Sequence, residues 1–225
     1  MKKRDLRAER KEHRLQENKK SILKASEKII TNKGYTLATM DDIGREAQFS
    51  KATIYRYFRS KRDIFIKIIL RSLEEVHESL SEILTKKISS EEKLRKTIYY
   101  ITSYYSRKRN IARIFFIERS TMKKILNISQ EQQLQTLHGH PAIPNEFMVM
   151  MKKISDITYE IIKEGIESGE FREVNVTDAS FILGSMLRGF FLRGPMKTKE
   201  YGLNEGTDLL MSFLLYGIKK ERKGA

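Results

Sequence analysis

The sequence predicts an all-α protein. Apolar residues recur at spacings of three and four along most of the chain, the period of one face of a helix. No run alternates with period two between turn residues. The three prolines stand at 141, 144 and 195 and leave long uninterrupted stretches. The expected architecture is an N-terminal three-helix head joined to a C-terminal helical bundle, about nine or ten helices in all.

The elements follow in chain order. Residues 1–17 are almost wholly polar and charged and form either a basic arm or a solvated extension of the first helix. That helix covers about 18–31 and buries Ile22, Ala25, Ile29 and Ile30. Asn32-Lys33-Gly34 is its stop signal. Thr39 and Asp42 have the spacing of a capping box, in which each end satisfies the other's backbone N–H, and they open a second helix. Ser50 caps a third helix of about two turns. Ser60 with Asp63 opens a fourth, which runs to about 85 and is long enough to leave the head and enter the body. Ser89 with Glu92 opens a fifth, ending near 110. Two more helices are expected within 111–137, broken near Ser120. His138 to Pro144 is a loop. Later helices cover about 145–168, 175 or 177 to 193, and 204–220. The domain division is 1–17 for the arm, 18–65 for the head and 66–225 for the body.

Composition narrows the function. The 225 residues carry a formal net charge of +15, unevenly spread. Residues 1–63 hold 18 Lys and Arg against 9 Asp and Glu, a net of +9, and the other 162 hold 26 against 20, a net of +6. A basic head on a milder body suits a polyanion. The absence of cysteine excludes disulfides, thiolate metal sites and a cysteine nucleophile. His138 and His140 have no third ligand nearby and make a poor metal site. No phosphate loop, nucleophile elbow or zinc-protease pattern occurs. The expectation is therefore no enzyme, no cofactor and no metal. The first residues lack the apolar stretch of a secretory signal, and the longest apolar run, 209–218, is too short to span a bilayer. A cytoplasmic protein without a membrane role is expected.

The segment Thr39 to Lys61 carries the chemistry. On a helical wheel Ile54 and Phe58 define the inner face of the third helix. Ala52, Thr53, Tyr55, Arg56 and Arg59 fall outside it, and Lys51 lies in the first turn. Small residues allow close approach to base edges, cations read guanine or hold phosphate, and hydroxyls donate to phosphate oxygens. The second helix braces the third through Met40, Ile43 and Ala47, with Phe49 plugging the turn. Thr39, Ser50 and Lys61 mark three helix starts whose free N–H groups suit phosphate. Asp41 and Asp42 are expected to cap the second helix and face away from DNA.

This segment resembles the DNA-binding region of the TetR family of transcriptional regulators. The resemblance is carried by Thr39, Ile43 with Gly44, Ser50, Thr53-Ile54-Tyr55-Arg56-Tyr57-Phe58 and Ser60-Lys61. It implies phosphate contacts from Thr39, Tyr55, Tyr57 and Lys61, a cap and phosphate contact from Ser50, and base contacts from Lys51, Ala52, Thr53 and Arg56. Two residues depart from the family pattern: Gln48 stands where glycine is usual in the turn, and Gly44 where alanine is usual. A positive φ at Gln48 costs of order 1 kcal/mol.

The resemblance also implies a body that dimerises and binds an effector. Residues 165–172 resemble a helix ending common in the family. By that analogy Ile154 and Ile161 on one helix, with Ile182, Met186 and Phe190 on the next, form the homodimer interface, while Gly184 and Gly189 allow close approach. An apolar or aromatic small molecule suits Tyr104, Tyr105, Phe116 and Tyr159, with Arg113 for an anionic group. The implied function is a repressor released by that effector from a palindromic operator on double-stranded DNA. The alternative is a body of the same fold that recruits a protein partner, which apolar residues exposed outside the dimer face would favour.

Overall fold

The computed structural model describes residues 6–108, 145–192 and 201–218, and among these residues it contains eight helices. They are α1 (Leu6–Leu37), α2 (Met40–Ala47), α3 (Lys51–Tyr55), α4 (Lys61–Leu84), α5 (Ser90–Arg107), α6 (Asn145–Glu167), α7 (Val176–Leu192) and α8 (Leu203–Ile218). The segment 111–144, with its expected helix break and histidine loop, lies outside the described residues.

Helix starts are set by short polar side chains. Thr39 Oγ1 accepts the Asp42 N–H at 3.1 Å, Ser50 Oγ that of Thr53, Ser60 Oγ that of Asp63 and Ser89 Oγ that of Glu92. Each replaces an intrahelical acceptor that the first turn lacks. Asn175 does the same for α7 through the Asp178 N–H at 3.0 Å. The start of α5 has a second anchor. The Glu170 carboxylate, beyond the end of α6, accepts the N–H groups of Ser90 and Glu91 at 3.1 and 3.0 Å.

Helix ends depend on glycine at two points. Gly34, at φ 78°, breaks α1 where a stop was expected, and the chain closes a last turn through Ala38 N–H to Gly34 O. Gly169, at φ 77°, ends α6. The Phe171 N–H then returns to Gly165 O at 2.9 Å, and the Phe171 ring covers Gly165 so closely that a β-carbon there would meet it at 2.2 Å. The family-like ending at 165–172 is thus a wrapped cap: Gly169 turns the chain and Gly165 admits the ring.

α1 begins at Leu6, so residues 6–17 are helical, the second of the two expected alternatives. One boundary differs from the sequence reading. α3 ends at Tyr55, and Arg56 to Phe58 continue as turns held by Arg56 N–H to Thr53 O and Tyr57 N–H to Ile54 O. The recognition element is one turn and a half of helix followed by a tight turn, shorter than the two turns expected.

Two apolar cores lie along α4. The head core gathers Ile22, Ile30, Met40, Ile43, Ile54, Phe58 and Phe65, and reaches Leu73 on α4. The body core begins at Val76 and takes in Leu80, Leu94, Ile98, Ile161, Phe171, Leu183, Leu187 and Leu214. The change of core therefore falls inside α4, between Leu73 and Val76, beyond the boundary expected after residue 65. Phe147, in the first turn of α6, is buried in the head core, with Met150 and Ile154 packed against that core, while Ile157, Ile161 and Ile162 further along the helix build the body core. α6 packs on α4, α5 and α7, and α8 packs on α5. Polar groups lock these contacts. Buried Lys93 holds the Glu164 carboxylate at 2.7 and 2.8 Å, and Thr158 meets Ser180 at 2.7 Å.

Candidate nucleic-acid interface

The head presents α3 and its following turn on a frame made by α1, α2 and α4. Ile54, fully buried, anchors α3 in the head core, with Phe58 beside it. That anchoring leaves Lys51, Ala52, Tyr55 and Arg56 exposed and Thr53 half-buried. Ser50 Oγ lies 2.8 Å from Thr53 Oγ1, which orders both hydroxyls at the start of α3. Tyr55 is 48% exposed, so its ring is free to meet a groove.

Tyr57 is half-buried against the head core, and its hydroxyl oxygen accepts Asn18 Nδ2 at 2.7 Å. A phenol accepting one bond keeps its own proton to donate. The N-terminal half of α1 is therefore joined to the end of the recognition element.

The turn between α2 and α3 explains both departures from the family pattern. Gln48 takes the left-handed conformation, φ 58° and ψ 35°. The Phe49 N–H then bonds Gly44 O at 3.0 Å, drawing Phe49 back over α2. A β-carbon on residue 44 would stand 2.8 Å from the Phe49 carbonyl oxygen. Glycine at 44 permits this close turn, and Gln48 sustains the strained φ within it.

The acidic residues divide. Asp42 is buried and collects bonds from Lys33 Nζ at 2.8 Å, Arg45 Nη2 at 2.7 Å and Thr39 Oγ1 at 2.8 Å. These donors, Lys33 foremost, hold its carboxyl well below the usual carboxylate range. Asp41 corrects the expectation that it faces away from the DNA side. It is exposed and bonds Lys51 Nζ at 2.9 Å, which raises the lysine's pKa. A phosphate or guanine must therefore compete with Asp41 for Lys51.

Lys61 is held within the fold. Its Nζ donates to the carbonyls of Tyr35 at 2.7 Å, Thr36 at 3.3 Å and Ala38 at 2.7 Å, and sits 4.5 Å from the Tyr35 ring centroid. Burial lowers its pKa. An ammonium has three donors, and these carbonyls take them in the free chain, so the side chain closes the end of α1 onto α4. The backbone N–H of Lys61, in the first turn of α4, still lacks an intrahelical partner. Thr39, likewise, spends its hydroxyl on Asp42 as donor and acceptor.

In the body, Tyr104 and Tyr105 come together on α5, their rings 6.3 Å apart. Tyr104 is buried, with its hydroxyl donating to Glu75 Oε2 at 2.7 Å. Burial pushes the Tyr105 hydroxyl up to about 12. Tyr159 is half-buried on α6, while Arg113 and Phe116 lie outside the described residues. Of the expected dimer residues, Ile161 is fully buried in the body core and has no surface to offer a second chain. Ile154, Met186 and Phe190 are partly buried against the core. Ile182 is 53% exposed, and Phe181, which the sequence reading missed, is 69% exposed beside it. Gly184 and Gly189 have no atom within 4 Å of where a β-carbon would stand, so nothing within the chain requires glycine there.

A small, capped helix packed on a brace and ending at Tyr55, followed by a turn bearing Arg56 and Tyr57, defines a helix-turn-helix DNA-binding regulator. Comparison with known proteins gives the family. Residues 22–68 match the model of bacterial regulatory proteins of the tetR family, and residues 86–205, more than half of the chain, match that of the QacR-like protein C-terminal region. The chain belongs to the TetR family of transcriptional regulators, which are not enzymes. It is 23% identical over 198 residues to the fatty acid metabolism regulator protein of Bacillus subtilis, spanning 88% of this chain and 93% of that one. It is 24% identical over 167 residues to the transcriptional repressor NicS of Pseudomonas putida, covering 74% and 72%. Among solved structures, the regulator FadR from Bacillus subtilis in complex with stearoyl-CoA superposes with a TM-score of 0.67 at 23% identity, over 88% of this chain and 97% of that chain. FadR from Bacillus halodurans gives 0.68 at 20% identity, over 89% and 95%. No helix among the described residues is long and apolar enough to cross a membrane.

Proposed function

We propose that the chain is a cytoplasmic homodimeric repressor that binds a palindromic operator and is released by a small apolar or aromatic effector. Tyr55, Arg56, Lys51, Ala52 and Thr53 meet the major groove, while Ser50, Tyr57 and the helix N-termini at Thr39 and Lys61 hold phosphates. The outer face of α7, with Phe181, Ile182, Gly184 and Ser185, supports pairing with its copy about a two-fold axis. The effector class is supported by the tyrosines of α5 and by the acyl-CoA bound to the Bacillus subtilis regulator.

One observation carries the release mechanism: Phe147 of α6 is buried in the head core, and α4 runs through both cores. A body that shifts α6 by a fraction of a turn must repack the head. Glu27 on α1 reinforces this path, since it pairs with Arg71 of α4 at 2.5 Å and with Lys108 just past α5. An effector acts by binding the wrongly spaced dimer better than the DNA-bound one. The test is operator affinity, read by fluorescence anisotropy, against a panel of long-chain acyl-CoAs and aromatic acids. Release by one class supports the reading. A ligand that binds the body and leaves operator affinity unchanged contradicts it.

A second reading, a body that recruits a protein, has one observation in its favour. Phe213 and Tyr216 on α8 are exposed. Loss of regulation on Tyr216→Ser, with operator and effector binding intact, would favour it.

A further inference from the structure

We infer that the helical extension of α1, residues 6–17, is a second DNA-contacting element that tracks the phosphate backbone beside each half-site. The inference rests on the DNA-binding reading above and extends it beyond the helix-turn-helix.

Its charges look mixed in the sequence, but the helix gathers Lys11 and Arg14 on one side. At 3.6 residues per turn, Lys11 and Arg14 lie within about 40° of the direction of Asn18, and Arg10 within about 80°. Glu17 flanks Arg10 at about 100°, while Glu9 and Glu12 lie about 120° or more away. Gln16 holds Glu12 on that other side through a bond of 2.7 Å. Residues 7–14 are exposed.

The position of the stripe gives it a partner. Asn18 is the residue that bonds the Tyr57 hydroxyl, and Tyr57 closes the recognition element. The cations therefore continue along α1 from a point already in contact with the DNA-facing turn. Arg14 stands about 6 Å along the helix axis from Asn18 and Lys11 about 10 Å. That reach covers a few base pairs of a duplex carrying one negative charge per ~1.7 Å. Long basic side chains on a helix without base-reading small residues suit phosphate contact and not sequence readout. The flanking contact should therefore raise affinity without regard to flank sequence.

The test uses the full chain with Arg10→Gln, Lys11→Gln and Arg14→Gln combined. Glutamine keeps a helix former at each site, which circular dichroism checks. The probes are the selected operator trimmed flush with its outer half-site contacts, and the same operator with about ten flanking base pairs of two unrelated sequences. Affinity is measured across a salt series. The wild type should bind both flanked duplexes alike and more tightly than the trimmed one. The variant should lose that advantage, with a log–log salt slope shallower by about 5 if six cations in a dimer each contribute about 0.9. On the trimmed duplex, variant and wild type should coincide. Equal slopes for both proteins on flanked DNA, or an equal loss on trimmed and flanked DNA, would overturn the inference. Wild-type chain that binds no duplex specifically would instead overturn the helix-turn-helix reading on which it stands.

Discussion

Replacing Gly44 by alanine opposes two effects of known sign. Alanine favours a helix interior over glycine by about 1 kcal/mol, so local propensity alone predicts stabilisation. The structure predicts the reverse. The new β-carbon stands 2.8 Å from the Phe49 carbonyl oxygen, and ordinary contact requires a retreat to about 3.4 Å. The obstacle is backbone, held by the Phe49 N–H to Gly44 O bond, so no rotamer change relieves it. Overpacking of this kind costs about 1–3 kcal/mol. The net expectation is a loss of about 1 kcal/mol, or about 2–4 °C in Tm for a chain of this size. The turn that yields also sets α3 against α2, so operator affinity should fall by more than the stability loss explains, about tenfold or greater. Thermal unfolding and operator titration on the same preparation read both effects. A higher Tm with unchanged affinity would refute the tight-turn account.

Three further outcomes follow from the same geometry. Gln48→Gly removes the left-handed strain and should raise stability by about 1 kcal/mol, seen as a higher denaturant midpoint at constant slope. Lys61→Ala should lower stability by about 2 kcal/mol by removing a charged donor from three carbonyls; a purely phosphate-binding lysine would weaken DNA binding and leave Tm unchanged. The carboxyl of Asp42 titrates lower in the folded chain than in the unfolded one, so it contributes stability above the unfolded value of about 3.9 that is lost as pH falls below it. Asp42→Asn should flatten that part of an acid-denaturation curve, whereas an unchanged curve would show that Asp42 is not the titrating group.

The head was legible because its signals are local. A hydroxyl three residues before an acid marks a helix start wherever it occurs, and Thr39, Ser60 and Ser89 all serve that way, while Ser50 caps α3 without an acid. Gln48 was legible too, as a non-glycine residue at a turn position requiring positive φ. What sequence spacing missed depends on distant partners. Lys61 meets carbonyls some 25 residues away, Asn18 meets Tyr57 across 39 positions, and Phe147 enters a core built from the other end of the chain. Ile161 failed as an interface residue for a related reason. A helix touching several neighbours carries apolar residues around much of its circumference, and periodicity alone does not say which stripe remains outside. Residues 6–17 left two readings open in the sequence, arm or helix extension, because their polar composition carries no apolar periodicity; the continuous helix from Leu6 selects the second.

The central claim is that the turn-and-a-half of α3, with the turn that follows, reads DNA sequence. The most direct measurement is selection from random duplexes, followed by affinity of the full chain for the enriched and unrelated sequences at two salt concentrations. The account predicts a near-palindrome whose half-sites lie about one helical turn apart or a multiple of it, with preference lost in Arg56→Ala at unchanged Tm. No enriched sequence, or equal affinity for enriched and unrelated duplexes at both salt concentrations, would contradict it.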